Sequence, residues 1–331
     1  MKQHLYQQPL AAVLAEHPYI EDFLTSFGLT VKPETISLQE FLDHLNPDLL
    51  EDLGLSREQL AHNLDEFLAG MLALQQPLDK VTSLTIIGGR NKSGEAENLE
   101  LTLQPGEVTC IVGPTGSGKS RLLADIEWVA QGDTPTGRKI LINGQVPDSQ
   151  WRFSTEHKLV AQLSQNMNFV MDLSAEDFIR MHAESRLVTD PEARVRQILE
   201  QANLLAGEQF RPDTPVTSLS GGQSRALMIA DMAFLSTSPI ALIDEIENAG
   251  IDRKKALDLL IREEKIVLMA THDPILALMG DRRLVIKNGG ISHIIEASAA
   301  ERRNLVELEA LDNRLLALRN RIRAGETLEQ I

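Results

Sequence analysis

The segment Gly113-Pro114-Thr115-Gly116-Ser117-Gly118-Lys119-Ser120 constrains this chain more than any other. It follows the apolar run 108–112 and precedes Arg121-Leu122-Leu123-Ala124, so it reads as a glycine-rich turn between a buried strand and a helix. Glycine at 113, 116 and 118 removes the Cβ atoms that would hold the backbone away from a phosphate. Amides turned inward then form an anion nest, and the following helix adds the positive end of its dipole. Lys119 supplies a mobile charge for β- and γ-phosphates, and Ser120 a hydroxyl for Mg2+. The stretch predicts binding of a nucleoside triphosphate.

At 331 residues the chain has room for about two domains. No apolar run approaches the ~20 residues of a membrane span, and the start, Met1-Lys2-Gln3-His4, has no apolar signal-peptide core. The single cysteine, Cys110, falls inside the apolar strand before the glycine-rich turn. It reads as a core residue, leaving neither a disulfide framework nor a thiolate metal site. A net charge of −16 argues against nucleic acid as a partner, because wrapping a phosphate backbone needs a basic footprint. The expectation is a soluble, cytoplasmic protein of a reducing compartment.

Residues 1–78 read as a helical unit. Pro9 and Pro18 can each open a helix, the second closing near Gly28. Ser37-Leu38-Gln39-Glu40 and Ser56-Arg57-Glu58-Gln59 have the form of capping boxes, and Leu60, Leu64, Phe67, Leu68 and Met71 make an amphipathic stripe over about 57–74. Leu14-Ala15-Glu16-His17-Pro18 followed by Phe27-Gly28 resembles a small helical domain found beside iron–sulfur and redox repair proteins, without the cysteines some of those carry. The unit is expected to be an interaction domain. A linker follows at Gln75–Asp79. Residues 81–87 and 98–103 alternate as paired strands around the loop 88–94, and 139–142 is a strand ending in the turn Asn143-Gly144.

Further motifs follow in order. Leu159–Leu163 leads to Ser164-Gln165; Leu219-Ser220-Gly221-Gly222-Gln223 comes about a hundred residues after the glycine-rich turn. The apolar run 240–243 ends in Asp244-Glu245, and 266–270 ends in Thr271-His272-Asp273. This ordered set resembles the ATP-binding cassette (ABC) ATPases across residues 80–295. The resemblance implies an α/β fold, a P-loop NTPase of ABC type with a mixed sheet core and a helical subdomain over about 166–235. Around it stand the N-terminal all-α domain and a C-terminal helical extension, 296–331.

The same resemblance implies roles for individual residues. ATP would be bound by 113–121 (Arg121 included) and, across a head-to-tail homodimer, by the signature residues Ser220, Gly221, Gly222 and Gln223 of the other protomer. Ser120, Gln165 and Asp244 would hold Mg2+; Glu245 would be the general base; His272 would sense the γ-phosphate; Lys119 and Gln165 would complete the catalytic set.

The chain departs from the family pattern in three places. The first loop, Gly88-Gly89-Arg90-Asn91, offers no aromatic platform for adenine, so Arg90 is the candidate to stack. Ile246 stands where transporter-type relatives usually carry proline. The segment Glu247–Asp252 is one residue longer than the usual spacing. In the tail, Leu308, Leu311, Leu315, Leu318 and Ile322 repeat at 3-4 spacing, with Arg314, Arg319, Arg321 and Arg323 toward the end. That short seam predicts a helix docked on its own chain, with Gly325 as its cap.

Two functions compete. One is a soluble mechanoenzyme whose ATP-driven closure works on a protein partner gripped by residues 1–78 and the helical subdomain. The other is the ATP-binding subunit of an ABC membrane transporter, touching the membrane only through a permease. The added N-terminal unit, Ile246, the longer 247–252 segment and the acidic charge favour the first. A third, nucleic-acid repair, suggested by the likeness of Gly88–Asn91 to excision-repair ATPases, is opposed by the −16 charge and the lack of cysteine pairs.

Overall fold

A computed structural model describes residues 2–29, 31, 36–46, 50, 54–75, 80–148, 151–152, 158–164, 169–245 and 251–327. The chain divides into two units, Met1–Pro77 and Leu78–Ile331. In the first, helices α1 (Lys2–Gln7), α2 (Leu10–Glu16), α3 (Tyr19–Ser26), α4 (Leu38–Asp43) and α5 (Arg57–Gln75) follow one another. Pro9 and Pro18 are the N-cap residues of α2 and α3. Both capping boxes form: Glu40 N donates to Ser37 Oγ at 3.2 Å and Ser37 N to Glu40 Oε2 at 2.9 Å, with Ser56 and Gln59 exchanging the same pair. Leu60, Leu64 and Leu68 on α5 are buried, as are Leu10, Val13, Ile20, Leu24, Leu38 and Leu42. Phe67 stacks on Phe23 at 4.8 Å between centroids. This is a core of its own, at about 1.5–3 kcal/mol of transfer free energy per large apolar side chain. Helix α1 has no apolar periodicity, which is why nothing in its sequence announces it.

The second unit holds two sheets. The smaller is antiparallel, in the order β2 (Glu100–Leu103), β1 (Leu84–Ile87), β4 (Lys139–Ile142). Strand β4 ends in the tight turn Asn143-Gly144, both at positive φ, but its partner along the sheet is β1. The larger runs β5 (Val160–Leu163), β6 (Ile240–Asp244), β7 (Ile266–Ala270), β3 (Val108–Val112), β8 (Arg282–Lys287), β9 (Gly290–Glu296). It is parallel except for the β8–β9 hairpin.

Burial on both faces explains the near-continuous apolar strands. Ile240, Leu242, Ile266, Leu268 and Ile111 enter one core, shared with the small sheet and with Leu122, Leu123 and Ile126 of α6 (Lys119–Glu127). Their neighbours Ala241, Ile243, Val267, Met269, Val108 and Cys110 enter the other. Cys110 is the core residue its context suggested. Burial pushes its thiol up to about 12, and its Sγ donates to Leu276 O.

A third core belongs to the helical subdomain: α7 (Ala175–Ser185), α8 (Pro191–Leu205) and α9 (Gly221–Phe234). Ser174 and Asp190 cap α7 and α8 through Asp177 N and Ala193 N. Helices α10 (Arg253–Arg262) and α11 (Pro274–Met279) follow β6 and β7.

The last helix, α12 (Ala299–Arg323), meets α11 and is tied by ion pairs from Arg283 to Glu301 and from Arg253 to Asp312, the latter at 3.5 Å. The helix is docked on its own chain as expected, but its leucine seam is only partly covered. Leu308 and Leu318 are half-buried, while Leu311, Leu315 and Ile322 are 54, 52 and 58% exposed, so much of the seam stays open. Gly325 follows the helix at φ +83°. Among the described residues no helix is long and apolar enough to cross a membrane.

One buried feature supports everything around the glycine-rich turn. Arg138, 0% exposed, donates to both oxygens of Glu97 and to Asp125 Oδ2, each at 2.8 Å, and to Gly289 O at 2.8 Å. Glu97 also accepts from the backbone N–H groups of Gly89 and Ile291. The loop before β2, helix α6 and the β8–β9 turn therefore meet at one guanidinium. Burial would raise the Glu97 pKa, but the hydrogen bonds and charge of Arg138 and the two amides hold it below the usual carboxylate range.

Candidate active site

Strand order assembles the site. In the sequence β6-β7-β3 the carboxyl ends lie side by side, and those ends carry Asp244-Glu245, Thr271-His272 and the phosphate loop 113–120 respectively. Open α/β sheets bind ligands at this edge.

The loop has the shape of an anion cradle. Gly113 lies at φ +153°, and a Cβ there would come within 2.6 Å of Ile286 O. Gly118 lies at φ +112°, with a Cβ position 2.8 Å from Gly289 Cα. Neither position tolerates a side chain. Gly118 starts α6 without a side-chain cap, so the open end of the helix faces the loop. Ser117 Oγ is buried and has no hydrogen-bond partner among the described residues. Those features fit a phosphate group. Pro114, Thr115, Gly116 and Ser120 are exposed along the loop, and Arg121 is exposed on the first turn of α6.

Lys119 is buried. Its Nζ donates to Gly113 O at 2.9 Å and stands 3.1 Å from His272 Nε2. The same ring nitrogen lies 3.0 Å from Glu245 Oε1. One imidazole nitrogen cannot serve both partners. Unprotonated it accepts from the ammonium; protonated it donates to the carboxylate. Glu245 adopts left-handed backbone at φ +50°, a conformation costing about 1–3 kcal/mol for a residue with a side chain. It is held there by Glu245 N donating to Ala270 O at 3.0 Å and by Arg225 Nη1 donating to Glu245 O at 2.9 Å.

Thus Lys119, His272 and Glu245 form one network. Asp244 ends β6 beside them, half-buried. With Ser120 it offers hard oxygen donors of the kind Mg2+ takes when most of its other ligands are phosphate and water. Gln165 and residues 246–250 lie outside the described residues. Asp252 caps α10 through Lys255 N.

The segment Ser220–Gln223 is not part of that network. Ser220 is the N-cap of α9, in a capping box with Gln223: Ser220 N donates to Gln223 Oε1 at 2.9 Å and Gln223 N to Ser220 Oγ at 3.3 Å. Gln223 also donates to the carbonyls of Glu208 and Gln209. Ser220 and Gly221 are exposed at an open helix start.

Sequence reasoning missed Arg225 and Arg138. Each looks like one more surface cation in sequence; only the fold sets the first against the end of β6 and the second among three chain segments. Arg90 is exposed, and its backbone N donates to Thr136 O at 2.6 Å. With no aromatic ring in the loop 88–94, base recognition rests at most on cation stacking worth about 0.5–2 kcal/mol. GTP and ATP are therefore expected to compete within roughly tenfold in a displacement titration. A much larger preference would place a base platform elsewhere.

A parallel sheet with a phosphate loop after one inner strand and carboxylates at the end of the next strand but one defines the P-loop NTPase class. Comparison with known proteins narrows it. A family model described as ABC transporter matches residues 96–248. An uncharacterized ABC transporter ATP-binding protein of Methanocaldococcus jannaschii is 52% identical over 250 residues, which are 75% of this chain and 95% of that protein. An aliphatic sulfonates import ATP-binding protein of Nocardia farcinica is 30% identical, covering 66% of this chain and 82% of its own length. Among solved structures, a dimeric ATP-binding cassette in a post-hydrolysis state with ADP and Pi has the same fold, with a TM-score of 0.51 at 24% identity, over 65% of this chain and 99% of that one. The chain belongs to the ABC family and is an ATP-binding ATP hydrolase.

Proposed function

We propose that the chain is the ATP-hydrolysing subunit of an ABC transporter, working with Mg2+ as a head-to-tail homodimer at the cytoplasmic side of a permease. The names of the relatives support this reading over the soluble mechanoenzyme that residues 1–78 suggested. One structural observation carries it: Val170 and Met171, near the start of the helical subdomain, are 93 and 41% exposed. Apolar side chains left bare at that point suit a protein element docking on the subdomain.

In the proposed cycle the 113–118 amides and Lys119 hold the β- and γ-phosphates. Ser120, Gln165 and Asp244 would hold Mg2+, whose charge offsets that of the phosphate oxygens. Glu245 accepts a proton from the attacking water as its oxygen bonds to the γ-phosphorus, and the bond to the ADP oxygen breaks, giving ADP and phosphate. When a triphosphate draws Lys119 off His272 Nε2, that nitrogen, once it carries a proton, can donate to Glu245 or to a phosphate oxygen. Ser220, Gly221 and Gly222 at the start of α9 would meet the γ-phosphate of the other protomer.

The test is affinity capture by the full-length Glu245→Gln chain, with ATP, from detergent-solubilised membranes and from soluble extract. Recovery of an integral membrane protein supports the transporter reading. Recovery of a soluble protein alone overturns it in favour of the second reading, which the separate helical unit Met1–Pro77 supports.

That unit carries none of the residues assigned above. A chain starting at Leu78 is expected to hydrolyse ATP within about twofold of the full-length rate in a phosphate-release assay, because its sheets and helices keep their own cores. An inactive but well-folded truncation, judged by circular dichroism, would give residues 1–77 a part in the chemistry.

A further inference from the structure

The phosphate loop is gripped from outside as well as lined from within. Two successive carbonyls on its outer side are satisfied by the neighbouring chain: Ser117 O accepts from Gly289 N, and Gly116 O from Lys92 Nζ, both at 2.6 Å. The peptide unit of Gly116 O is also the one whose N–H closes the loop, since Ser117 N donates to Pro114 O at 3.0 Å. Whatever holds Gly116 O therefore holds the curvature of the loop.

Lys92 is not a casual surface lysine. Its backbone N donates to Asn288 O at 2.8 Å, and Asn288 Nδ2 donates to the next residue, Ser93 Oγ, at 2.7 Å. Its stem lies along the β8–β9 turn: a Cβ on Gly289 would fall 2.7 Å from Lys92 Cγ. Gly289 is itself fixed by Arg138. The lysine thus starts from an anchored backbone, crosses a glycine and ends on the loop.

We propose that Lys92 is a second cation of the nucleotide site, a positioning residue. It fixes the phosphate loop through Gly116 O, and its charge at the loop adds to triphosphate affinity. The loop 88–94, read from sequence as a place for base stacking through Arg90, also acts on the phosphates through Lys92. A hydrogen bond from an ammonium polarises the peptide it caps, and the charge, which has no ion pair among the described residues, attracts a polyanion over the few ångströms where salt does not fully screen it. The inference rests on the phosphate-loop assignment.

The test compares ATP binding and steady-state hydrolysis in the wild-type chain, Lys92→Met, Lys92→Arg and, as a charge control on a lysine that bonds elsewhere, Lys80→Met. Lys80 is exposed and paired with Glu264. Lys92→Met is expected to raise both Kd and KM for ATP about five- to tenfold, the upper end being 1.4 kcal/mol, with kcat lowered no more than about twofold. Lys92→Arg should recover most of the loss, and the salt dependence of Kd should be shallower in Lys92→Met than in Lys80→Met. The proposal is overturned by a KM within twofold of wild type, by an arginine variant as weak as the methionine one, or by an unchanged salt dependence. Lys119→Ala separates the failures. If it abolishes binding while Lys92→Met does nothing, only the role of Lys92 is lost; if it leaves binding intact, the loop assignment falls too.

Discussion

Lys119→Ala loses ATP binding by roughly two to four orders of magnitude. The ammonium is buried at the loop, where its hydrogen-bond partners among the described residues are Gly113 O and His272 Nε2. Both are neutral acceptors that a phosphate oxygen outcompetes. Two charge-assisted hydrogen bonds to a triphosphate contribute about 1.5–3 kcal/mol each, which sets the range. Alanine also leaves the Gly113 carbonyl without that donor, but the loop remains held through Ser117 O and Gly116 O. The folded protein should survive. Isothermal titration with ATP and Mg2+ checks this, and an affinity within tenfold of wild type would remove Lys119 from the site.

Glu245→Gln separates binding from chemistry. Glutamine keeps the size of the side chain and its hydrogen-bonding reach but cannot take a proton from water. Hydrolysis is expected to fall by roughly 10²–10⁴, the share of a positioned general base, with ATP affinity little changed. The left-handed backbone at 245 is held by main-chain and Arg225 bonds that the substitution does not touch. With ATP no longer turned over, two protomers should stay closed on it, each phosphate loop facing the exposed start of the other's α9. Light scattering at saturating ATP should then report a dimer. A variant that hydrolyses normally would shift the base role elsewhere, and one that stays monomeric would count against a shared site.

What could be read from sequence was local. The apolar runs at 108–112, 240–243 and 266–270 are strands because each alternates between two cores, and the capping boxes at Ser37 and Ser56 announce helices through their own side chains. The ordered motifs identify the ABC family. The meeting of Lys119, His272 and Glu245 at one imidazole nitrogen depends on β7 lying between β6 and β3, a pairing across more than a hundred residues that no local pattern encodes. Long-range polar contacts were equally hidden: Arg138 reaches Gly289, and Lys92 reaches Gly116. The leucine spacing of 308–322 correctly indicates a helix but misleads about its cover, because spacing reports a stripe and not what lies against it.

The knot at Arg138 has a consequence for how such a chain can change over generations. Glu97, Asp125 and Gly289 all depend on one side chain that water does not reach. Losing any single member of a buried ion pair costs about 3–5 kcal/mol, a large part of what keeps a domain folded. Without Glu97 the guanidinium keeps only Asp125 and Gly289 O as partners, and without Arg138 the two buried carboxylates lose their counter-charge and keep only amide and hydroxyl donors. Exchange for apolar residues becomes tolerable only if all the partners change together, which stepwise substitution rarely achieves. Substitutions are therefore expected to be tolerated at exposed positions far more readily than at these buried charges, which can change only as a block.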